Sequence, residues 1–265
     1  MMKELEIFQV DAFTDHIFGG NPAAVIPLTE WLSDTTLQNI AMENNLSETV
    51  FIVPSSASDF HIRWFTPTIE VRLCGHATLA TAHVLWHHLN FPKNEVTFDS
   101  LSGVLKVEKK DQGYTLDFPV DTYESEDVEL HPLSNVLNIR PLYIYKCKDD
   151  YLALYSSAKE ILDLEVDYVG LKSIKSRGLI TTAIGTDVDF VSRCFYPEAG
   201  IEEDPVTGSA HTSMTPFWAQ KLGFNVLKAR QLSNRRGDLL CELKGDRVLI
   251  TGEAKTYMVG KIFLD

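Results

Sequence analysis

Apolar and polar residues alternate over short stretches through most of this chain, and helical periodicity is confined to a few places. Residues 5–13 and 23–28 read as strands, separated by Phe18-Gly19-Gly20-Asn21-Pro22, a turn by its glycine and Asn-Pro content. Ser33 is a fitting N-cap for a helix to about residue 44, where Asn44-Asn45 stops it. Strands follow at 48–53 and 59–65, the second with Phe60, Ile62 and Trp64 on one face. A helix from His76 to about residue 89 carries Leu79, Ala82, Val84, Leu85 and Trp86, apolar enough to be central and buried. Strands are expected at 95–100, 103–109 and 114–120. The acidic, apolar-poor stretch 121–129 reads as a linker between domains. Beyond it come strands at 142–147, 151–156, 178–184 and 188–195, and a short helix at 158–164. A long helix from Val206 to about residue 222 closes at Gly223, a C′ glycine, and several short strands end the chain.

Composition narrows the function classes. The 265 residues can bury one large core or two smaller ones. Net charge is −13, and no basic run is longer than a doublet such as Arg235-Arg236, which argues against nucleic acid and anionic membrane as partners. The start, Met1-Met2-Lys3-Glu4-Leu5-Glu6, lacks the apolar core of a signal peptide. No window approaches the ~18 apolar residues of a membrane span. Four scattered cysteines without a C-x-x-C point to a reducing cytoplasm rather than a disulfide or zinc framework.

The chain also repeats itself. At a shift of 130, Asp59-Phe60-His61-Ile62-Arg63-Trp64-Phe65-Thr66-Pro67 falls on Asp189-Phe190-Val191-Ser192-Arg193-Cys194-Phe195-Tyr196-Pro197, with Asp, Phe, Arg, Phe and Pro matching. The same register sets Cys74 on Asp204, Thr78 on Gly208 and Ala80 on Ala210. Each copy reads as strand, F-x-P, loop and small-residue helix start, which is the signature of a duplicated unit. Two such units predict a cleft in which the helix starts at Cys74-Gly75-His76 and Asp204–Ser209 face each other. The domains would then be residues 1–120 with 254–265, and residues 121–253.

Five segments together resemble the phenazine-biosynthesis PhzF-like isomerase family. They are Gly20-Asn21-Pro22-Ala23-Ala24-Val25, Asn45-Leu46-Ser47-Glu48-Thr49-Val50-Phe51, Phe65-Thr66-Pro67, Gly75-His76-Ala77-Thr78 and Glu203-Asp204-Pro205-Val206-Thr207-Gly208-Ser209-Ala210. Their order and spacing fit nearly the whole chain. The family is structurally similar to diaminopimelate epimerase and proline racemase. The resemblance implies an α+β fold of two pseudo-symmetric domains, each an antiparallel barrel-like sheet around a central helix. It also implies that the last strand, about 257–264, returns to the first domain, and that the protein is a homodimer. The chain departs from the phenazine enzyme in carrying Ala77 where proline is often found, and Cys74 before Gly75.

In the phenazine-pathway member a glutamate of N-L-S-E-T shuttles a proton between two carbons of a dihydro-hydroxyanthranilate, which by residue match implies Glu48. Moving a proton between nearby carbons needs one group that is base and then acid, and a carboxyl in a semi-apolar site suits that task. Taken alone, Glu48 reads as a solvated glutamate at a strand start. His76, in the first turn of its helix, is a candidate to donate to a substrate carboxylate, or a helix-capping or core histidine. Asp204 is a candidate to position substrate or to cap the following helix. Pro205 suits a first helical turn, so the amides of Thr207, Gly208 and Ser209 are expected to hold a carboxylate, with Gly75 and Asn21 as further substrate contacts. Cys74 is a possible second base, because a thiolate at a helix N-terminus has a lowered pKa, or else a small buried residue.

Neither a glycine-rich nucleotide loop nor metal-ligand spacing occurs, so neither cofactor nor metal is expected. Three functions are compatible with these residues. One is a cofactor-independent isomerase moving a proton on a small carboxylate. Another is an epimerase or racemase using Cys74 with Asp204. The third is a ligand-binding protein without chemistry.

Overall fold

The computed structural model describes residues 3–128 and 131–265. Expectations that fall on Met1, Met2 and Glu129 lie outside the described residues. The chain divides into two compact units, one made of the described residues up to Asp117 with Thr251–Asp265, the other of Phe118–Ile250. The fold is α+β and mostly sheet.

In the first unit the strand Lys3–Ala12 pairs antiparallel with Asn21–Pro27 and also with Ala254–Leu264. The second pairing runs from Lys3↔Leu264 to Ala12↔Ala254, with a bulge between Gln9 and Val10. Asn21–Pro27 lies parallel to Glu48–Pro54, which pairs antiparallel with Phe60–Phe65. Phe60–Phe65 in turn runs parallel to Glu95–Ser100, and Glu95–Ser100, Gly103–Lys110 and Gly113–Pro119 form an antiparallel meander.

Helix α1 (Asp34–Asn44) starts where Ser33 Oγ accepts from the Thr36 amide, and ends at Asn45 in the left-handed conformation, φ 49°. Helix α2 (Gly75–His87) buries every residue from Gly75 to Trp86. It packs against the strands Lys3–Ala12, Asn21–Pro27, Glu48–Pro54, Gly103–Lys110 and Ala254–Leu264. A helix touched by strands from so many directions has no solvent face, which is why its sequence is apolar all round. Leu79, Val84 and Leu85 are at most 1% exposed, and burial of such side chains contributes about 1.5–3 kcal/mol each.

The second unit repeats this pairing order. Tyr143–Cys147 pairs antiparallel with Asp150–Leu154, which is parallel to Gly178–Ile184. Gly178–Ile184 is antiparallel to Phe190–Tyr196, which is parallel to Val226–Gln231, and Val226–Gln231 is antiparallel to Gly237–Lys244. Glu48–Pro54 and Gly178–Ile184 start and end 130 residues apart, as do the starts of Phe60–Phe65 and Phe190–Tyr196. The duplication is therefore visible in topology as well as in sequence. The sheets are mainly antiparallel, and each unit carries parallel pairings among its described residues, Asn21–Pro27 with Glu48–Pro54 and Phe60–Phe65 with Glu95–Ser100 in the first, Asp150–Leu154 with Gly178–Ile184 and Phe190–Tyr196 with Val226–Gln231 in the second. The short helices α3 (Ala158–Leu162) and α4 (Tyr168–Lys172) and the longer α5 (His211–Leu222) complete the second unit. Its core gathers around Tyr155, Leu179 and Phe195.

The matched arginines of the repeat have matched partners. Arg63 Nε and Nη2 donate to the two oxygens of Glu70 at 2.7 Å each. Arg193 Nε and Nη2 donate to those of Glu203 at 2.8 and 2.9 Å. Each fork ties a long strand to a short one just ahead of a predicted site segment, with the geometry that gives guanidinium–carboxylate pairs their strength.

Three expectations need correction. The stretch 121–129 is not simply a linker, because Tyr123–Glu126 forms a strand paired with Tyr143–Cys147. It escapes a hydrophobic pattern because Glu124, Ser125 and Glu126 are exposed. Helix α5 begins at His211 rather than Val206, and residues 208–210 form a turn instead. Helix α4 was not foreseen, although Asp167 accepts from the amides of Val169 and Gly170 as an N-cap should.

Candidate active site

Glu48 opens the strand Glu48–Pro54, and Asn21 opens its parallel neighbour Asn21–Pro27, with Ala23 paired to Glu48. Parallel pairing sets both strand starts at the same end of the sheet. Gly20 makes the entry to Asn21 possible. It has φ 60°, and a side-chain carbon there would stand 2.1 Å from the Ala12 carbonyl oxygen. Helix α2 packs on both strands, which brings its first turn to the same end.

The outcome is a buried constellation of four side chains. His76 Nε2 lies 3.0 Å from Glu48 Oε2. Asn21 Nδ2 lies 3.1 Å from His76 Nδ1, and Cys74 Sγ lies 3.4 Å from the same nitrogen. Glu48 and Cys74 are each 7% exposed, and His76 is 3% exposed. A carboxylate buried to this degree is not the solvated glutamate of a strand start. An amide NH2 donates, so in this arrangement His76 Nδ1 accepts from Asn21 and the ring proton sits on Nε2, toward Glu48. Burial by itself lowers the pKa of His76, but its interactions with Cys74 and Glu48 outweigh that and raise the pKa well above the usual histidine value. When the ring is doubly protonated, Asn21 must turn its amide oxygen to Nδ1, and a primary amide can serve either state.

Cys74 is as buried as one of its two expected readings required. It is the N-cap of α2, yet its thiol is pushed up to about 11, first by burial and then by the charge of Glu48, with His76 opposing. Desolvation defeats the helix dipole here, and Cys74 is a thiol at neutral pH. Its backbone carbonyl accepts from the Thr78 hydroxyl at 2.6 Å, which holds the first turn closed.

In the second unit the predicted residues form a pinned turn. Asp204 ends the strand Ile201–Asp204, is 7% exposed, and accepts from the Thr207 hydroxyl at 2.5 Å. It therefore does not cap α5, which starts seven residues later. Gln231, fully buried, accepts from the Thr207 amide at 2.8 Å and donates to the Asp204 carbonyl at 2.7 Å. The Thr207 amide is thus committed within the protein, which leaves those of Gly208 and Ser209 as the candidate ligand donors. His211 Nδ1 donates to the Thr207 carbonyl at 2.8 Å, and the Ser233 hydroxyl donates to the Pro205 carbonyl at 2.7 Å. Sequence reading missed Gln231 and Ser233, since nothing local marks a residue that holds a turn more than twenty positions away.

A cavity of about 480 Å³ in the first unit is lined by His83, His87, Tyr114 and residues 253–256, and holds none of the predicted site residues. His83 is pushed down to about 3 there, by burial and then by His87 and His88, so it stays neutral. Among the described residues no helix is long and apolar enough to cross a membrane.

The sequence matches the family described as phenazine biosynthesis-like protein, PhzC-PhzF, over residues 10–260. An uncharacterized isomerase of Pseudomonas aeruginosa is 48% identical over 98% of this chain and 100% of its own length. The phenazine biosynthesis-like domain-containing protein of Homo sapiens is 38% identical over 98% of this chain and 99% of its own. Among solved structures, a PhzF family protein of Enterococcus faecalis superposes with a TM-score of 0.95 at 42% identity, covering 99% of this chain and 100% of that one. A hydroxyproline epimerase of Agrobacterium vitis shares the fold alone. It is 10% identical, with a TM-score of 0.64 over 99% of this chain and 93% of that one.

Proposed function

Since the chain belongs to the phenazine biosynthesis-like family and is an isomerase, we propose that it moves a proton on a small carboxylate-bearing metabolite without a cofactor, with Glu48 as the carrier. The observation that supports this most is the buried approach of Glu48 Oε2 to His76 Nε2 at 3.0 Å. A carboxyl with a polar partner on one side and little water around it can take a proton and return it without losing it to solvent. His76 holds Glu48 in place and supplies a second proton to the pair. Asn21 fixes the ring. Gly75, at the start of α2 beside His76, is assigned to substrate contact. Asp204 and the amides of Gly208 and Ser209 are assigned to substrate, with a carboxylate as the natural guest of the two amides. Four buried cysteines with free thiols suit a reducing cytoplasm. A homodimer accompanies the family reading and is checked by sedimentation.

An epimerase pairing Cys74 with Asp204 is the second reading. The raised thiol of Cys74 speaks against it, since the attacking base would have to be a thiolate. The two are separated by solvent deuterium incorporation, measured by NMR or mass spectrometry across a panel of small unsaturated, hydroxy- and amino-carboxylates. Glu48→Gln is expected to lower incorporation by about 10²–10⁴-fold, the usual weight of one acid–base group, while Cys74→Ala retains most of it. The opposite pattern would overturn the Glu48 reading in favour of the thiol. Tight binding of a panel member with no incorporation by the wild type would overturn both.

A further inference from the structure

Of the segment 45–51, the constellation around His76 takes up Glu48. The strand that Glu48 opens is packed by α2 and by α1, and side chains along a strand alternate between its two faces. Glu48 is turned toward α2, where it meets His76. Phe51 and Val53, an odd number of positions further on, pack instead with Leu37, Ile40 and Ala41 of α1. Thr49 belongs to that second face.

Asn44 is the last residue of α1, three positions after Ala41 and four after Ile40, so it shares their strand-facing side. The apolar pattern calls for a hydrophobic residue there. Asn44 instead donates from Nδ2 to Thr49 Oγ1 at 3.0 Å. Thr49 is 1% exposed, so water competes little for the bond and the low dielectric strengthens it. The bond closes over the short link 45–47, in which the Asn45 amide donates back to the Ala41 carbonyl at 3.1 Å.

Helix α1 is itself anchored at two further points. Arg63 Nη1 donates to Asp34 Oδ1 at 2.9 Å, and Gln38 Nε2 donates to the Thr66 carbonyl at 2.9 Å. The helix therefore acts as a brace for the strand start, and Asn44 is where the brace meets the residue next to Glu48. A reacting group displaced by about 1 Å loses on the order of 10²-fold in rate, so the backbone at 48–49 has to be held closely.

We propose that Asn44 is a positioning residue for the proton carrier: its bond to Thr49 fixes the backbone from which Glu48 projects, and so sets the approach of Glu48 to His76 from the opposite face of the strand. The weight of Asn44 in catalysis rests on the reading of Glu48 as carrier. Its hold on the contact between Glu48 and His76 does not.

Asn44→Ala removes the donor, Thr49→Val removes the hydroxyl at nearly constant shape, and Thr49→Ser keeps it. Each full-length variant is read by NMR titration of the His76 ring and by deuterium incorporation into a carboxylate of the panel. His76 holds its proton against the effect of burial through Cys74 and Glu48. In Asn44→Ala and Thr49→Val its proton affinity should fall about tenfold. Incorporation at saturating carboxylate should fall about tenfold or more, with KM within about twofold of wild type. The double variant should lose no more than either single one, and Thr49→Ser should return both readouts to near wild type. A loss of stability alone would leave the His76 titration where it is. An unmoved His76 titration in Asn44→Ala, or losses that add in the double variant, overturns the proposal even where Glu48→Gln stops incorporation. A moved titration with incorporation indifferent to Glu48→Gln would instead uphold the hold of Asn44 on the pair and overturn Glu48 as carrier.

Discussion

His211 joins α5 to the pinned turn before it, and its titration gives a prediction that can be worked through. The residue is fully buried, and burial pushes its pKa from 6.5 down to about 4, opposed by its hydrogen bond to the Thr207 carbonyl. Nδ1 donates that bond, while Nε2 has no partner among the described residues, so protonation would place an unsolvated charge in the core. Between pH 6.5 and 4 the unfolded chain binds a proton at this position that the folded chain does not. Stability therefore falls as pH falls through that window, and the contribution is level above and below it. The full loss is 2.5 pH units, about 3 kcal/mol, and about 2 kcal/mol has gone by pH 5. Hydrogen exchange of the α5 amides at a series of pH values reads the second unit separately from the first. His211→Asn keeps a donor near Nδ1 but does not titrate. It is expected to be less stable at pH 8, because the lost ring leaves space beside Phe190, and its pH slope between 6.5 and 4 is expected to be shallower by about 2–3 kcal/mol over the window. Equal slopes in variant and wild type would refute the assignment of the acid sensitivity to His211.

Other expectations follow from the same structure. Arg193→Met removes the fork to Glu203 and the donors to the carbonyls of Ile161 and Leu164, leaving a largely buried carboxylate unpaired. The loss should be about 3–5 kcal/mol in denaturant unfolding followed at Trp218, and Arg193→Lys should recover only part of it. Gln231→Ala frees the Thr207 amide and the Asp204 carbonyl. A cost of about 2–4 kcal/mol is expected from two buried groups left unsatisfied, with a rise in KM if this turn holds substrate. Gly113→Ala should destabilise well beyond Gly103→Ala although both have φ near 90°. A side-chain carbon at 113 would meet the Gly252 carbonyl oxygen at 2.2 Å, whereas at 103 nothing lies within 4 Å. Equal melting temperatures for the two variants would contradict that.

What could be read from sequence was what local chemistry decides. Ser33 and Asn45 bound α1 through their own side chain and backbone preference, and the strand at 178–184 shows plainly because it is buried nearly throughout. The starts of α5 and Tyr123–Glu126 were lost because distant partners decide them. Residues 204–207 would pass for a helix start were Gln231 not holding the Asp204 carbonyl and the Thr207 amide. Pro216 inside α5 would ordinarily argue against a helix, but the Thr212 carbonyl that it cannot serve accepts from the Asp121 amide instead. At the site, motif matching brought Glu48, His76 and Asn21 forward, and the structure brings those three together in one unit. The state of Cys74 was beyond sequence, since helix position argues for a thiolate, and burial together with the nearby charge of Glu48 decides against it.

The pairing of Lys3–Ala12 with Ala254–Leu264 has a consequence for how the protein is made. On the ribosome, the first strand emerges with one edge matched by Asn21–Pro27 and the other open, and its true partner is translated only after the whole of Phe118–Ile250. The second unit has all its strands available before the first can finish its sheet. Nascent chains should therefore expose an unpaired β-edge for the length of time it takes to synthesise more than a hundred residues, a template for aggregation that chaperones would be called on to shield. Joining residues 3 and 264 through a short linker and opening the chain elsewhere would shorten that interval, and the rearranged gene should give a higher soluble yield at fast translation.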